Sequence, residues 1–566
     1  MAKAEASVEE LVGMIERGEL RLPEMQRRYV WRSTRVRDLL DSLYRGYPSG
    51  AILLWETDEA VPLQEMAVTQ QTNPYQSTRL LLDGQQRLTS LSAVIRGESV
   101  KVRGRKKPIE LLFNLDHPEH LAVVTEVDEG GGEDEDDEDL TDDEADSSED
   151  ELQKRFDRMT FLVTTRKVEK LPQWVRVTEV FKTDSDAGFL KRAGISSFDD
   201  PNYERYSQRL ARLRGIRKYV YRMDVLERRL SYDEVTEIFV RVNSLGAKLR
   251  SSDLALAQIT AKWRNSLKSF EAFQHDCSKS GFDLDLGLYL KNLVVFATGQ
   301  SRFLTVGNLR LEALQAGWKA SCRGMEFALN FLKNNAGIDS PALLSSPFML
   351  ITIAYYGHKR DYELAPEESE RLRYWVLVAN AKGRYSRGSS ETILDQDVAT
   401  LRDGGGTQEM IDRLRQQVGR LDISPDELDG RNQRSALFKT MFLVFRAAGA
   451  KDWRSQVAIA LDHSGAQHRL QFHHIFPKAV LKTSYTGRET DDIANLCFIG
   501  GKTNRQISDK PPKLYFPEMI EKSGPAAFEA QCIPMELPLL GIEGYKSFLQ
   551  KRRELVAGRL NQFLSA

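Results

Sequence analysis

Residues 126–151, EVDEGGGEDEDDEDLTDDEADSSEDE, hold 17 acidic side chains and no basic one. Such a run cannot build a packed element, because it has little apolar surface to bury and its charges repel one another. The chain must therefore fold on either side of it and carry it as an insertion, expected to be disordered. The run also masks the charge of the rest. Over all 566 residues, 80 Lys and Arg face 82 Asp and Glu, a net −2; without the 17 the balance is 80 against 65, or +15. A mildly basic body with a solvated acidic loop is the expectation. A loop that mimics nucleic acid in a basic groove is the alternative.

A chain of this length should divide into about three or four domains. With 41% hydrophobic and 29% charged residues it reads as a soluble globular protein. No apolar run reaches the length of a membrane span, and MAKAEASVEELVGMIERGEL is too polar for a signal peptide. The cysteines, Cys277, Cys322, Cys497 and Cys532, form no CxxC pair. That argues against a disulfide framework and against a zinc ribbon, and fits a reducing cytoplasm.

Hydrophobic spacing outlines the elements. After LPEMQRRYVW, the residues Val36, Leu39, Leu40, Leu43 and Tyr44 mark one face of a helix that Ser33 or Thr34 would cap. AILLWE reads as a buried strand, and TRLLLDGQQRLTSLSAVIRG as strand, tight turn and helix with Leu88, Leu91, Val94 and Ile95 on one face. FLVTTRKVEKLPQWVRVTEVF suggests short strands, and residues 203–226 a basic helix followed by a strand. Tyr203, Tyr206, Tyr219 and Tyr221 alternate there with Arg and Lys, which core packing explains at least as well as base stacking. The patterns are mostly helical from 256 to 445. The last segment mixes a strand at FHHIF with a terminal helix carrying Phe548, Leu555, Val556, Leu560, Phe563 and Leu564.

Two stretches carry chemistry. In LLLDGQQRLTSL a strand runs through Asp83 and Gly84 directly into a helix. Backbone N–H groups, the positive helix end and Arg87 then share one spot, an arrangement that holds anions. Asp83 and Gln86, three residues apart, equally fit a capping box. No GxxxxGK[ST] occurs, so any nucleotide chemistry is not that of a P-loop. In RLQFHHIFPKAVLK, His473 and His474 are adjacent on an expected strand and so point to opposite faces.

LPEMQRRYVW, GYPSGAILLW, LLDGQQRLTSL, EIFVRVNSLGAKLRSSDL and GRYSRGSSET, in this order, resemble the N-terminal module of GmrSD-type restriction proteins, related in fold to ParB and sulfiredoxin. The resemblance covers most of residues 8–260 and recurs to about 400. It implies nucleotide binding and hydrolysis at Asp83, Gly84, Gln85, Gln86 and Arg87, with Gln26, Arg27, Arg241 and Asn243 nearby. The acidic insertion is not part of that pattern.

FHHIFP followed by IANLCFIGGKTNRQISDKPP resembles the HNH nuclease motif, the usual companion of that module. The resemblance implies His473 and Asn504 as metal ligands, His474 as general base and Asn495 as the residue that orients it through a backbone or side-chain hydrogen bond. Such a site needs a metal to stabilise phosphate charge and a neutral imidazole to take a proton from water. A carboxylate at the first ligand position and a histidine at the last are more usual, and the present pair fits Mg²⁺ or Mn²⁺ less obviously. Lys478, Lys482, Lys502, Arg505 and Lys510 would suit phosphate contacts, or form a solvated basic face. His463 and His468 read as surface residues.

The expectation is an α+β cytoplasmic enzyme in three parts: a ParB/sulfiredoxin-like α/β module at 1–255, a helical region at 256–445 and an HNH endonuclease domain of ββα-metal type at 446–566. Its partners would be foreign, phage or modified DNA and a nucleotide, GTP or ATP, with no membrane; a homo-oligomer stays open. Two alternatives stand beside it. One is a sensor that binds nucleotide without hydrolysis and gates the nuclease; the other is a nicking or repair enzyme whose first module is only a DNA platform.

Overall fold

The computed structural model describes residues 2–71, 78–98, 110–119, 156–164, 168–245, 249–463 and 470–565. The acidic run at 126–151 and His468 lie outside them. The chain divides into two compact units, Met1–Asn265 and Ser266–Ala566, and it mixes helices with small sheets in the α+β manner.

The first unit is organised by TRLLLD. This segment forms β5 (Thr78–Asp83), which pairs antiparallel with β3 (Ile52–Thr57) and parallel with β2 (Leu20–Pro23). A run of leucines with no alternation suits a strand covered on both faces. Leu81 joins one core with Ile52 and Leu54, while Leu80 and Leu82 join another with Trp55 and Tyr232. β1 (Ala2–Ser7), β4 (Leu63–Gln64) and β9 (Val220–Leu226) complete a mixed sheet of order β1-β9-β3-β5-β2-β4. Tyr206 and Tyr221 are buried, and Tyr203 and Tyr219 pack against the same core.

Helix Ser33–Arg45 buries the five expected apolar side chains. Its cap position is Arg32, with no side-chain cap bond; Ser33 is already helical and buried, so neither it nor Thr34 caps the helix. Strands β6 (Leu111–Asn114), β7 (Phe161–Val163) and β8 (Trp174–Arg176) form a second small sheet. The following VTEVFK is a helix, Val177–Lys182, and not a strand. Its buried Val177, Val180 and Phe181 have the i, i+3, i+4 spacing of a helical stripe.

The second unit is helical from Ser266 to Ala447 and then carries the strand pair β10 (Leu470–His474) and β11 (Leu496–Gly500). Its main core runs from Met349, Trp375 and Met441 into Leu496, Phe498, Val556, Leu560 and Leu564. The helical region and the last segment thus share apolar contacts. Within the terminal helix Tyr545–Ser565, Leu555 is exposed at 41%, against expectation. It lies one residue off the row Val556, Leu560, Leu564, which sets it about 100° away around the helix. Among the described residues no helix is long and apolar enough to cross a membrane, and all four cysteines are free thiols.

Candidate functional site

Gly84 makes the turn from β5 into helix Gln85–Arg96. Its φ of +98° suits glycine, and a Cβ there would meet Ile52 Cδ1 at 2.4 Å. The helix has no side-chain cap, so the capping-box reading of Asp83 and Gln86 is not met. Gln86 instead reaches back to the preceding chain: its Oε1 accepts from Val30 N at 2.9 Å and Trp31 N at 3.2 Å, and its Nε2 donates to Arg28 O at 3.3 Å. Arg87 donates to Ser49 O at 2.5 Å, Ala51 O at 2.8 Å and Asp83 Oδ2 at 3.0 Å. Gln26 Nε2 donates to the carbonyls of Leu81 and Leu82 on β5.

These side chains therefore fasten two loops, residues 24–32 and 46–51, to one strand end. Gln85 is 5% exposed. Arg27 pairs with Asp253 at 2.9 Å. Arg241 is well exposed and paired with Glu237, four residues earlier on its own helix, and buried Asn243 donates to Phe239 O at 2.8 Å. The structure thus gathers Gln26, Asp83 and Gly84–Arg87, whereas Arg241 and Asn243 bond to Glu237 and Phe239 within helix Tyr232–Leu245.

In the second unit, β10 pairs antiparallel with β11, His473 facing Cys497 and His474 facing Leu496. The two imidazoles point to opposite faces, as neighbours on a strand must. His473 is 3% exposed, and burial pushes its imidazole down to about 4 despite the bond from its Nδ1 to Asn504 Oδ1 at 2.7 Å. It is neutral at physiological pH, the form in which a ring nitrogen binds metal. Asn504 lies on helix Gly501–Ile507, directly after β11. Its Nδ2 donates to Gln471 Oε1 at 2.8 Å, which turns its carbonyl oxygen toward His473. The Tyr515 hydroxyl donates to Ile475 O at 2.9 Å and sits 3.5 Å from His473 Nε2.

His474 is half-buried, and its Nε2 lies 2.8 Å from Asp491 Oδ1. Lys478 Nζ approaches the same oxygen at 3.1 Å. Hydrogen bonds from His474 and then Lys478 hold the Asp491 carboxyl below its ordinary range despite partial burial. Asn495, fully buried, makes no side-chain bond to His474. Its Oδ1 accepts from Phe476 N at 2.9 Å, and its Nδ2 donates to Phe476 O and Thr490 O, both at 3.0 Å. It pins the chain just after His474 to the chain just before Asp491.

Asp491, Gln471 and Asp452 were missed by sequence reasoning. Asp452 accepts from Gly500 N and Thr503 Oγ1 at 2.8 and 2.9 Å and so fixes the start of the Asn504 helix. Only the residue types could have flagged them, since none sits at a motif spacing. Lys482, Lys502, Arg505 and Lys510 are exposed. His463 is half-buried beside Asp452 and Gly500. Among the described residues no group of three or more His, Cys, Asp or Glu could hold a metal. An ion at His473 and Asn504 would therefore use an imidazole nitrogen and an amide oxygen from the protein.

A strand-to-helix loop laced by glutamines and an arginine, on a mixed sheet, is the part of this geometry that the comparisons address. Residues 8–260 match the family model of the GmrSD restriction endonuclease N-terminal domain. That match supports a GmrSD-type restriction module over those residues. Across nearly its whole length the chain is also similar to uncharacterized protein MJ0686 of Methanocaldococcus jannaschii. The two are 23% identical over 548 residues, which covers 90% of this chain and 86% of the relative.

Proposed function

We propose that the protein is a metal-dependent DNA endonuclease of restriction type, with an HNH site in its second unit and a ParB/sulfiredoxin-like nucleotide module in its first. One observation carries the reading: adjacent histidines leave β10 on opposite faces, one meeting Asn504 and the other Asp491. The GmrSD-type match over residues 8–260 supplies the restriction context.

His473 and Asn504 would hold the divalent ion. The pair fits in two respects, a buried neutral imidazole and an amide oxygen aimed by Gln471; the hydrogen bond between them would have to give way to the ion. Neither donor is charged, so phosphate and water oxygens would have to complete the set for Mg²⁺ or Mn²⁺, which an imidazole nitrogen suits less well than oxygen donors do. Once bound, the ion would stabilise charge on the scissile phosphate and its leaving oxygen. On the other face His474 takes a proton from the attacking water. Lys478, Lys502, Arg505 and Lys510 meet neighbouring phosphates of foreign, phage or modified DNA. The enzyme would work in the cytoplasm.

In the first unit the nucleotide, GTP or ATP, lies against the backbone N–H groups at Gly84–Gln86 and the unfilled end of helix Gln85–Arg96. Hydrolysis is the reading the resemblance favours. A second reading, binding without turnover, is favoured by the engagement of Arg87 with two carbonyls and Asp83, which leaves its guanidinium committed to the protein. Purified protein incubated with modified and unmodified phage DNA, each NTP and each divalent metal tests the whole proposal. Metal-dependent cleavage that His474→Ala abolishes is expected; cleavage by that variant within about tenfold of the original, well short of what a general base supplies, refutes it.

A further inference from the structure

The HNH resemblance gives the task of orienting the general base to Asn495, yet the Asn495 side chain is fully engaged with Phe476 and Thr490. The group bonded to His474 is Asp491, with Nε2 to Oδ1 at 2.8 Å. An ionised carboxylate only accepts hydrogen bonds, so this contact requires the proton on Nε2. A neutral His474 then carries its free lone pair on Nδ1. From this geometry we propose that Asp491 is the positioning residue of the nuclease site: it sets the tautomer and ring angle of His474, so that Nδ1 is the atom that deprotonates water. The inference rests on the reading of His474 as the base.

Three features support it. Asp491 is held in place from both sides, because its N–H donates to Gly487 O at 3.0 Å and Asn495 grips the neighbouring Thr490. Asn495 also grips Phe476, two residues beyond His474, so one buried amide fixes the separation of base and carboxylate. Asp492, next in sequence, is buried and accepts from Ala494 N, Gly430 N and Arg553 Nη2, which anchors the same turn. The carboxylate therefore approaches His474 from a rigid support, as ring orientation requires.

In the step itself, a water O–H bond breaks and its proton goes to Nδ1. The oxygen forms a bond to phosphorus, the bond to the leaving oxygen breaks, and that oxygen takes a proton from solvent. The imidazolium formed is stabilised by Asp491 until it returns its proton to bulk water. Lys478 shares Oδ1 at 3.1 Å, which has a consequence for substitution. An amide at position 491 would turn its oxygen to the Lys478 ammonium and present its NH₂ to Nε2. The proton would then be forced onto Nδ1, where it blocks the base.

The test uses the full chain, with ring-¹⁵N-histidine labelling of its eight histidines and a metal-dependent DNA cleavage assay. The expected result is an Nε2–H tautomer at His474, assigned by its loss in His474→Ala. Asp491→Ala should give a tautomer mixture and lower kcat by about 10²-fold with KM within about threefold. Asp491→Asn should show Nδ1–H and lose at least as much kcat as the alanine variant, a ranking that a merely structural role would not produce. An Nδ1–H tautomer in the unmodified protein overturns the proposal. So does near-normal cleavage by Asp491→Ala while His474→Ala is inactive, an outcome that leaves the nuclease reading intact. Cleavage by His474→Ala itself overturns the reading beneath it.

Discussion

The loop at Asp83–Arg87 and the strand pair at His473–Asn504 use polar side chains in opposite ways. In the first, Gln26, Gln86 and Arg87 bond to main-chain carbonyls and N–H groups of β5 and of neighbouring loops, so the motif acts as a clasp and what it offers a ligand is mostly backbone. In the second, the chemically able side chains bond to one another, His473 with Asn504 and His474 with Asp491, while Asn495, Asp452 and Tyr515 clasp the backbone around them. Removing a clasp residue should therefore cost stability first. Removing a residue from a side-chain pair should cost chemistry first.

The largest expected effect falls on the pairs. His474→Ala should lower DNA cleavage by about 10²- to 10⁴-fold, the usual contribution of a positioned base, with an unchanged melting transition. A melting shift as large as that of a clasp variant would erase the contrast. Asn495→Ala is the opposite case within the same unit. It orphans buried main-chain groups at Phe476 and Thr490, and a loss of about 3 kcal/mol or more follows from three buried bonds at roughly 1 kcal/mol or more each. Denaturant unfolding of the full chain measures it.

Acid should act on both units through one buried neutral histidine in each. His117 donates from Nδ1 to Pro118 O, lies 3.0 Å from the Tyr44 hydroxyl, and is pushed down to about 4 by burial, as His473 is. The unfolded chain binds the proton from about pH 6.5 downward while the fold resists it to about 4. The stability tied to His117 is thus fully present above pH 6.5 and falls as pH drops toward 4, by about 3 kcal/mol at most. His117→Gln should flatten that decline in unfolding scans of the first unit alone.

Arg87→Ala should destabilise the first unit by about 2 kcal/mol, since two carbonyls and Asp83 lose a charged partner. Gln86→Ala should cost nearer 1 kcal/mol. Nucleotide binding measured on both folded variants then separates clasp from ligand contact: if both bind normally, the loop is structural. The smallest effect is expected from deleting residues 128–150. That removes 15 acidic residues and should raise non-specific DNA affinity modestly at low salt. A large gain that persists at physiological salt would favour the mimic reading.

Much was legible in the chain because it depends on local spacing. The stripe at Val36–Tyr44, the leucine strand into Gly84 and the opposed His473 and His474 follow from periods of 3.6 and 2. Where spacing misled, a local rule met a competing one. VTEVFK has strand-forming residues but a helical burial stripe, and Leu555 sits one residue off the buried row of its helix. The motif spacing also indicated which polar residues would gather, Asp83 with Arg87 and His473 with Asn504.

Tertiary structure alone decided what those residues bond to. Nothing in DGQQR says that Arg87 will meet the carbonyls of Ser49 and Ala51, because those groups are brought in by a loop some 36 to 38 residues away. Nothing in the HNH pattern says that Asp491, 17 residues from His474, will take the contact expected of Asn495. A hydrogen bond needs its partner within about 3 Å and in line, a condition met only once the turns are packed. Residue types and their periods are local properties and survive in the one-dimensional chain. Partnership between distant side chains is a property of the packed backbone.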